Sequence, residues 1–107
     1  MKKTNELQNF RDYLIEDLKK NPDEIPVYLE VSLEEFEQDE NLAALLLALK
    51  TVAEAQGGLG ILSERTGLNR QNLYKIFSNK VTPKFNTILL ILKGLGYSFA
   101  LKKNAAA

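Results

Sequence analysis

Leu59-Gly60-Ile61-Leu62-Ser63-Glu64-Arg65-Thr66-Gly67-Leu68-Asn69-Arg70-Gln71-Asn72-Leu73-Tyr74-Lys75-Ile76-Phe77-Ser78-Asn79-Lys80 is the stretch that decides the fold. It reads as two short helices joined by a tight turn. Leu62 lies on the core side of the first, and Ser63 is small enough for a second helix to approach closely. Gly67 falls where the chain leaves that helix, a position that favours a left-handed backbone and therefore glycine. Asn69 then stands where a side-chain oxygen can accept from the free N–H groups of the next helix. At 100° per residue Leu73, Ile76 and Phe77 share one arc, and Arg70, Gln71, Tyr74, Lys75 and Ser78 share the opposite one.

A polar helix face is most often a solvated surface. Three features favour a binding face here. Arg70 and Gln71 are side chains that can pair bidentately with guanine and adenine edges. The face holds no carboxylate that phosphates would repel. Its side chains also project from the helix N-terminus, the end that enters the major groove in helix-turn-helix proteins. Arg70, Gln71 and Lys75 are thus expected to read bases. Asn69, Tyr74, Asn79, Lys80 and Lys84, which flank them, are expected to hold the phosphate backbone.

At 107 residues and 45% hydrophobic content, one domain with a real core is expected. The formal net charge of zero conceals two opposed halves. Residues 1–56 hold six basic groups against thirteen acidic ones, −7; residues 57–107 hold eight against Glu64 alone, +7. The second half suits phosphates, whereas the first would turn away from them or recruit a basic partner. There is no cysteine, which is compatible with a reducing cytoplasm. No apolar run approaches a membrane span, and the N-terminus lacks the apolar core of a signal peptide. A soluble, cytoplasmic protein is expected.

Elsewhere the chain reads as helices. Thr4 can cap one running to about Lys20, with Leu7, Phe10, Leu14 and Leu18 as its apolar stripe. Asn21-Pro22-Asp23 breaks it. A second runs from about Ile25 to Gln38 on Leu29, Leu33 and Phe36, and a third from about Glu40 to Ala55 on Leu42, Leu45, Leu46, Leu49, Val52 and Ala53. Gly57-Gly58 ends the third. After the Ser78–Lys84 loop, a last helix covers Phe85 to Leu95, with Phe85, Ile88, Leu89, Leu92 and Leu95 inward, Leu90 outward, and Gly94 and Gly96 as terminators. Tyr97–Lys102 alternates in the manner of a half-buried strand, which would need a partner. Ala105–Ala107 read as a frayed end or cloning remnant. The expectation is an all-α bundle divided as acidic helices (5–38), a helix-turn-helix core (40–96) and a C-terminal strand (97–102).

Gly67-Leu68-Asn69-Arg70-Gln71-Asn72-Leu73-Tyr74-Lys75 at the turn resembles the lambda-repressor-like DNA-binding domains. A longer series is more specific: Tyr28-Leu29, the stretch Ala48–Gly58, Thr66–Arg70, Leu73-Tyr74, and Pro83 through Thr87 to Leu95-Gly96 occur in order. That series is similar to the HigA-like addiction-module antidote proteins, across roughly Tyr13 to Leu101. It departs from them at the loop, where a Gly-Asn-Pro-like turn is replaced by Asn79-Lys80-Val81-Thr82-Pro83. The resemblance implies a homodimeric repressor of its own operator that neutralises a ribonuclease-like toxin. The acidic half would dock a basic toxin through anchors such as Phe10, Tyr13, Tyr28 or Phe36, although Phe10 and Phe36 are better placed to close the core. Pairing on two half-sites would use Leu90 and the strand, with the strand packing back on its own N-terminal helices as the competing arrangement.

A stand-alone or phage-type regulator without a toxin fits the same residues. A helical protein-interaction module would instead show apolar or acidic residues on the outer face. An enzyme is disfavoured, since the chain has neither histidine nor cysteine to act as triad base, thiolate or imidazole ligand. No calcium-loop or phosphate-loop spacing occurs, so no metal or cofactor is expected.

Overall fold

The structure, a computed structural model, describes residues 2–105, with side chains from Glu6 onward; Ala106, Ala107 and the Thr4 side chain lie outside it. Among the described residues the architecture is all-α. The elements are α1 (Lys2–Lys20), a 3-10 turn (Pro22–Glu24), α2 (Ile25–Asp39), α3 (Leu42–Ala55), α4 (Leu59–Thr66), α5 (Arg70–Phe77) and α6 (Phe85–Leu95). The first helix thus begins two residues before the expected cap at Thr4.

Local chemistry explains most boundaries. Lys19 and Lys20 fill the last turn of α1, where cations suit the helix dipole. Asn41 starts α3 by accepting from the Ala44 N–H at 3.1 Å. The α3–α4 corner turns on Gly57 (φ 118°) and Gly58 (φ 103°), a backbone region that side chains strain. It bends the chain by 96°. No single described helix is long and apolar enough to cross a membrane.

One apolar cluster takes residues from all six helices: Leu18 of α1, Ile25 and Leu29 of α2, Leu46, Leu49 and Val52 of α3, Leu62 of α4, Leu73 and Ile76 of α5, and Ile91, Leu92 and Leu95 of α6. α3 lies at the centre, packing on α1 and α2 on one side and on α4, α5 and α6 on the other. Across the α1–α3 contact, both terminal guanidinium nitrogens of Arg11 donate to the Glu54 carboxylate at 3.3 Å. Lys50 adds a third charge at 3.8 Å.

Four expectations need correction. Tyr97–Lys102 is not a strand. Every described element it could pair with is a helix, and a lone strand leaves its backbone groups unpaired. The segment instead turns at Gly96 (φ 99°), and the Tyr97 N–H donates to the Leu92 carbonyl at 2.9 Å. α6 is rotated from its expected setting: Ile91 is buried, Leu90 is half-buried, and Phe85 and Leu89 are exposed. Gly94 does not terminate α6 but lies within it, leaving Gly96 as the stop. The α1 stripe closes the core only at its C-terminal end, so Leu7 and Phe10 are exposed.

Candidate nucleic-acid interface

The turn between α4 and α5 is stitched by side chains that the sequence places there. Gly67 takes the left-handed conformation (φ 76°) and donates its N–H to the Ser63 carbonyl at 2.8 Å. The Ser63 hydroxyl donates to the Leu68 carbonyl. Thr66 Oγ1 donates to the Leu62 carbonyl at 2.8 Å and accepts from the Leu68 N–H at 3.1 Å. Asn69 Oδ1 then accepts from the N–H groups of Gln71 (2.8 Å) and Asn72 (3.3 Å). Polar groups that α4 and α5 would leave bare at their facing ends are therefore satisfied, which fixes where α5 starts.

α5 buries Leu73, Ile76 and Phe77 and exposes Arg70, Gln71, Tyr74 and Lys75, as the periodicity predicts. Gln71 lies near the middle of the exposed arc, between Tyr74 and Lys75. Arg70 is placed differently. A Cβ added to Gly60 would lie 3.8 Å from its guanidinium, so this side chain folds back over the first turn of α4. It stands at the seam of the two helices rather than at the centre of the face.

Asn79 holds a left-handed backbone (φ 62°) that ends α5, and the Lys80 N–H donates to the Lys75 carbonyl at 2.9 Å. Asparagine is among the few side chains that tolerate this geometry. A backbone role thus accounts for Asn79 whatever else its exposed amide does. Lys80 and Lys84 are exposed at opposite ends of the loop, Lys84 directly before α6. Ser78, on the outer arc, is occupied: its hydroxyl donates to the Tyr74 carbonyl at 2.6 Å. Asn72, omitted from the candidate residues, is exposed beside Lys75 in the first turn. Its signal is its place three residues after Asn69, on the margin of the buried arc.

Behind this face, α4 is seated directly on α6. A Cβ on Gly94 would fall 2.5 Å from Thr66 Cγ2 and 2.9 Å from Leu62 Cδ1, so only glycine lets the helices approach this closely. The same end of α6 is tied down by polar contacts. Gln56 Nε2 donates to the Leu95 carbonyl at 2.9 Å, and Arg65 reaches Gln56 Oε1 at 3.2 Å. Among the described residues no three acidic side chains converge to hold a metal ion.

The opposite, acidic side differs in character. Residues 21–49 contain eight carboxylates and no lysine or arginine. Of the expected anchors there, Phe10 and Tyr13 are exposed, and Tyr28 and Phe36 are half-buried. The Tyr28 phenol is pushed up from its ordinary pKa by burial, against an opposing hydrogen bond with Thr51 and the Arg11 charge.

A family model described as "Probable addiction module antidote protein" matches residues 7–103. A Haemophilus influenzae protein described as "Uncharacterized protein" is 26% identical over 100 residues, which cover 94% of this chain and 98% of its own length. No solved structure matches.

Proposed function

Since the chain belongs to the probable addiction module antidote proteins, we propose that it is an antitoxin that neutralises a partner toxin and represses its own operon by binding operator DNA, as the HigA-like resemblance suggests. The DNA reading rests chiefly on one observation: α5 presents Arg70, Gln71, Tyr74 and Lys75 together, with no carboxylate among them. Gln71, and Lys75 beside it, are the base readers in this reading, Gln71 favouring adenine. Arg70, folded toward α4, is assigned to a flanking phosphate or to a guanine at the edge of the site. Asn69, Tyr74, Asn79, Lys80 and Lys84 hold the backbone.

One eight-residue helix reads few base pairs, so two copies on half-sites about 34 Å apart are proposed. Phe85 stacks on Phe99 with ring centroids 6.0 Å apart, and both rings stay exposed. This face, formed by the first residue of α6 and the segment that follows the helix, is the one we assign to pairing. The half-buried Leu90 is a poorer candidate.

The deciding experiment is an electrophoretic mobility shift with the DNA upstream of the gene, beside a scrambled duplex of equal length. Selective retardation, lost in Gln71→Ala, is the expected outcome. Equal retardation of both duplexes, or none, refutes the repressor. Selective retardation by a chain that fails to bind the product of either adjoining gene would make it a stand-alone regulator. Sedimentation as a monomer at micromolar concentration, with binding to one half-site, would refute the dimer.

A further inference from the structure

A groove runs between α1 and α2, lined by Leu14, Leu18, Val27 and Tyr28 and by the carboxylates of Asp17, Asp23 and Glu24. It continues along α1. Leu7, Phe10, Tyr13, Leu14 and Asp17 fall within an arc of about 120° on that helix. α3 covers α1 through Arg11 and Leu18 but leaves this arc largely bare. Leu7 (67%), Phe10 (65%), Tyr13 (66%) and Val27 (63%) are each about two-thirds exposed. Two of these are aromatic, the kind of side chain that anchors protein interfaces.

Charge identifies the occupant. Asn21 to Leu49 carries eight carboxylates and no basic side chain of its own; Lys102 reaches Glu34 at 4.0 Å, away from the groove-lining Asp23 and Glu24. At the groove Asp17 and Glu24 crowd together, and their hydrogen bond holds the Glu24 carboxyl above its ordinary pKa. A cation placed there would relieve that crowding, while apolar side chains would fill the space between the helices. Nucleic acid would be repelled, and an acidic or neutral surface would leave the carboxylates unpaired.

We propose that this groove and the Leu7–Tyr13 face extending from it dock an amphipathic segment of the toxin, with lysine or arginine against Asp17, Asp23 and Glu24 and an apolar side chain between Leu14 and Val27. The inference rests on the antitoxin reading and locates the contact on the side of α3 opposite to α5.

The test measures binding of the purified products of the two adjoining genes to the full chain and to two variants, Val27→Glu and the charge reversal Asp23→Lys/Glu24→Lys. All three substituted side chains are exposed, and circular dichroism with thermal melting checks that the variants fold. Both variants are expected to weaken the complex by about tenfold or more, and the reversal should act mainly by slowing association at low salt. Val81→Glu, on an exposed loop residue remote in sequence from the groove, should leave binding unchanged. If the parent chain binds and both groove variants bind equally well, the groove is overturned while the antitoxin reading stands. If the parent does not bind, both fall. If Val27→Glu leaves toxin binding intact and instead dissociates self-assembled chains in sedimentation, the groove belongs to a second copy and the proposal is wrong.

Discussion

Gly94→Ala sets two opposed energies against each other at one position. Alanine in a helix interior is favoured over glycine by about 1 kcal/mol, so propensity alone predicts a more stable protein. The geometry predicts the reverse. The new Cβ would lie 2.5 Å from Thr66 Cγ2 and 2.9 Å from Leu62 Cδ1, where ordinary contact begins near 3.4 Å. Thr66 cannot rotate away cheaply, because its hydroxyl donates to Leu62 and accepts from Leu68. α4 and α6 must therefore separate by several tenths of an ångström to an ångström. Overpacking of this kind costs about 1–3 kcal/mol, and a disturbed Thr66 hydrogen bond adds about 1 kcal/mol. After the propensity gain, the net is a loss of about 1–3 kcal/mol. For a domain of this size, that lowers the melting temperature by about 4–24 °C. Thermal melts followed by circular dichroism measure it directly. Thr66→Ser in the same chain removes the closest methyl but keeps the hydroxyl, so the double variant should recover part of the loss. A Gly94→Ala protein that melts at or above the parent temperature would show that the close approach of α4 to α6 is not limiting.

Other substitutions probe separate links. Gln71→Ala should weaken operator binding by about 1–3 kcal/mol and relax preference at one base pair, as read by titration against single-base operator variants. Removing Lys80 or Lys84 should weaken all duplexes alike and shallow the salt dependence by roughly one ion each; an unchanged slope in both variants would take the loop out of the interface. Asn69→Ala leaves the N–H groups of Gln71 and Asn72 without their cap and should cost about 1 kcal/mol in a denaturant melt. For Glu24, a folded pKa held above its ordinary value means that its contribution is present at acid pH and lost as pH rises through the folded pKa. Glu24→Gln should therefore raise stability at neutral pH, with the gain vanishing as pH falls into the carboxylate range; a gain constant with pH would contradict the crowding with Asp17.

The turn between α4 and α5 was legible because its signals are local. Gly67 and Asn69 act on backbone within a few residues of themselves, and the outer and inner arcs of α5 differ sharply in polarity. α6 was harder to orient. Ile88 through Leu92 is apolar at every position, so several rotations bury comparable area, and contact with α3 and α4 decides among them. In sequence Gly94 looks like a terminator, because its purpose depends on Thr66, a residue distant in the chain. The alternation of Tyr97–Lys102 is real, but a strand also requires a neighbour, which no local pattern supplies. The Leu7–Leu18 stripe is continuous, and nothing within it shows that the covering helix falls short of its first turns. Of the candidate interface, exposure on α5 followed from periodicity, whereas the fold-back of Arg70 over Gly60 depends on a residue in another helix.

The shared apolar cluster has a consequence for how such a protein can be switched off. Leu18, Ile25 and Leu29 belong to the same packed unit as Leu73 and Ile76. A protease that clips α1 or α2 would thus strip the support from beneath α5 as well as remove the acidic surface. On the antitoxin and repressor reading proposed above, a cut that removes Leu18, Ile25 or Leu29 would abolish toxin docking and operator binding in one event, whereas a cut in the exposed Leu7–Phe10 turns would leave the cluster in place.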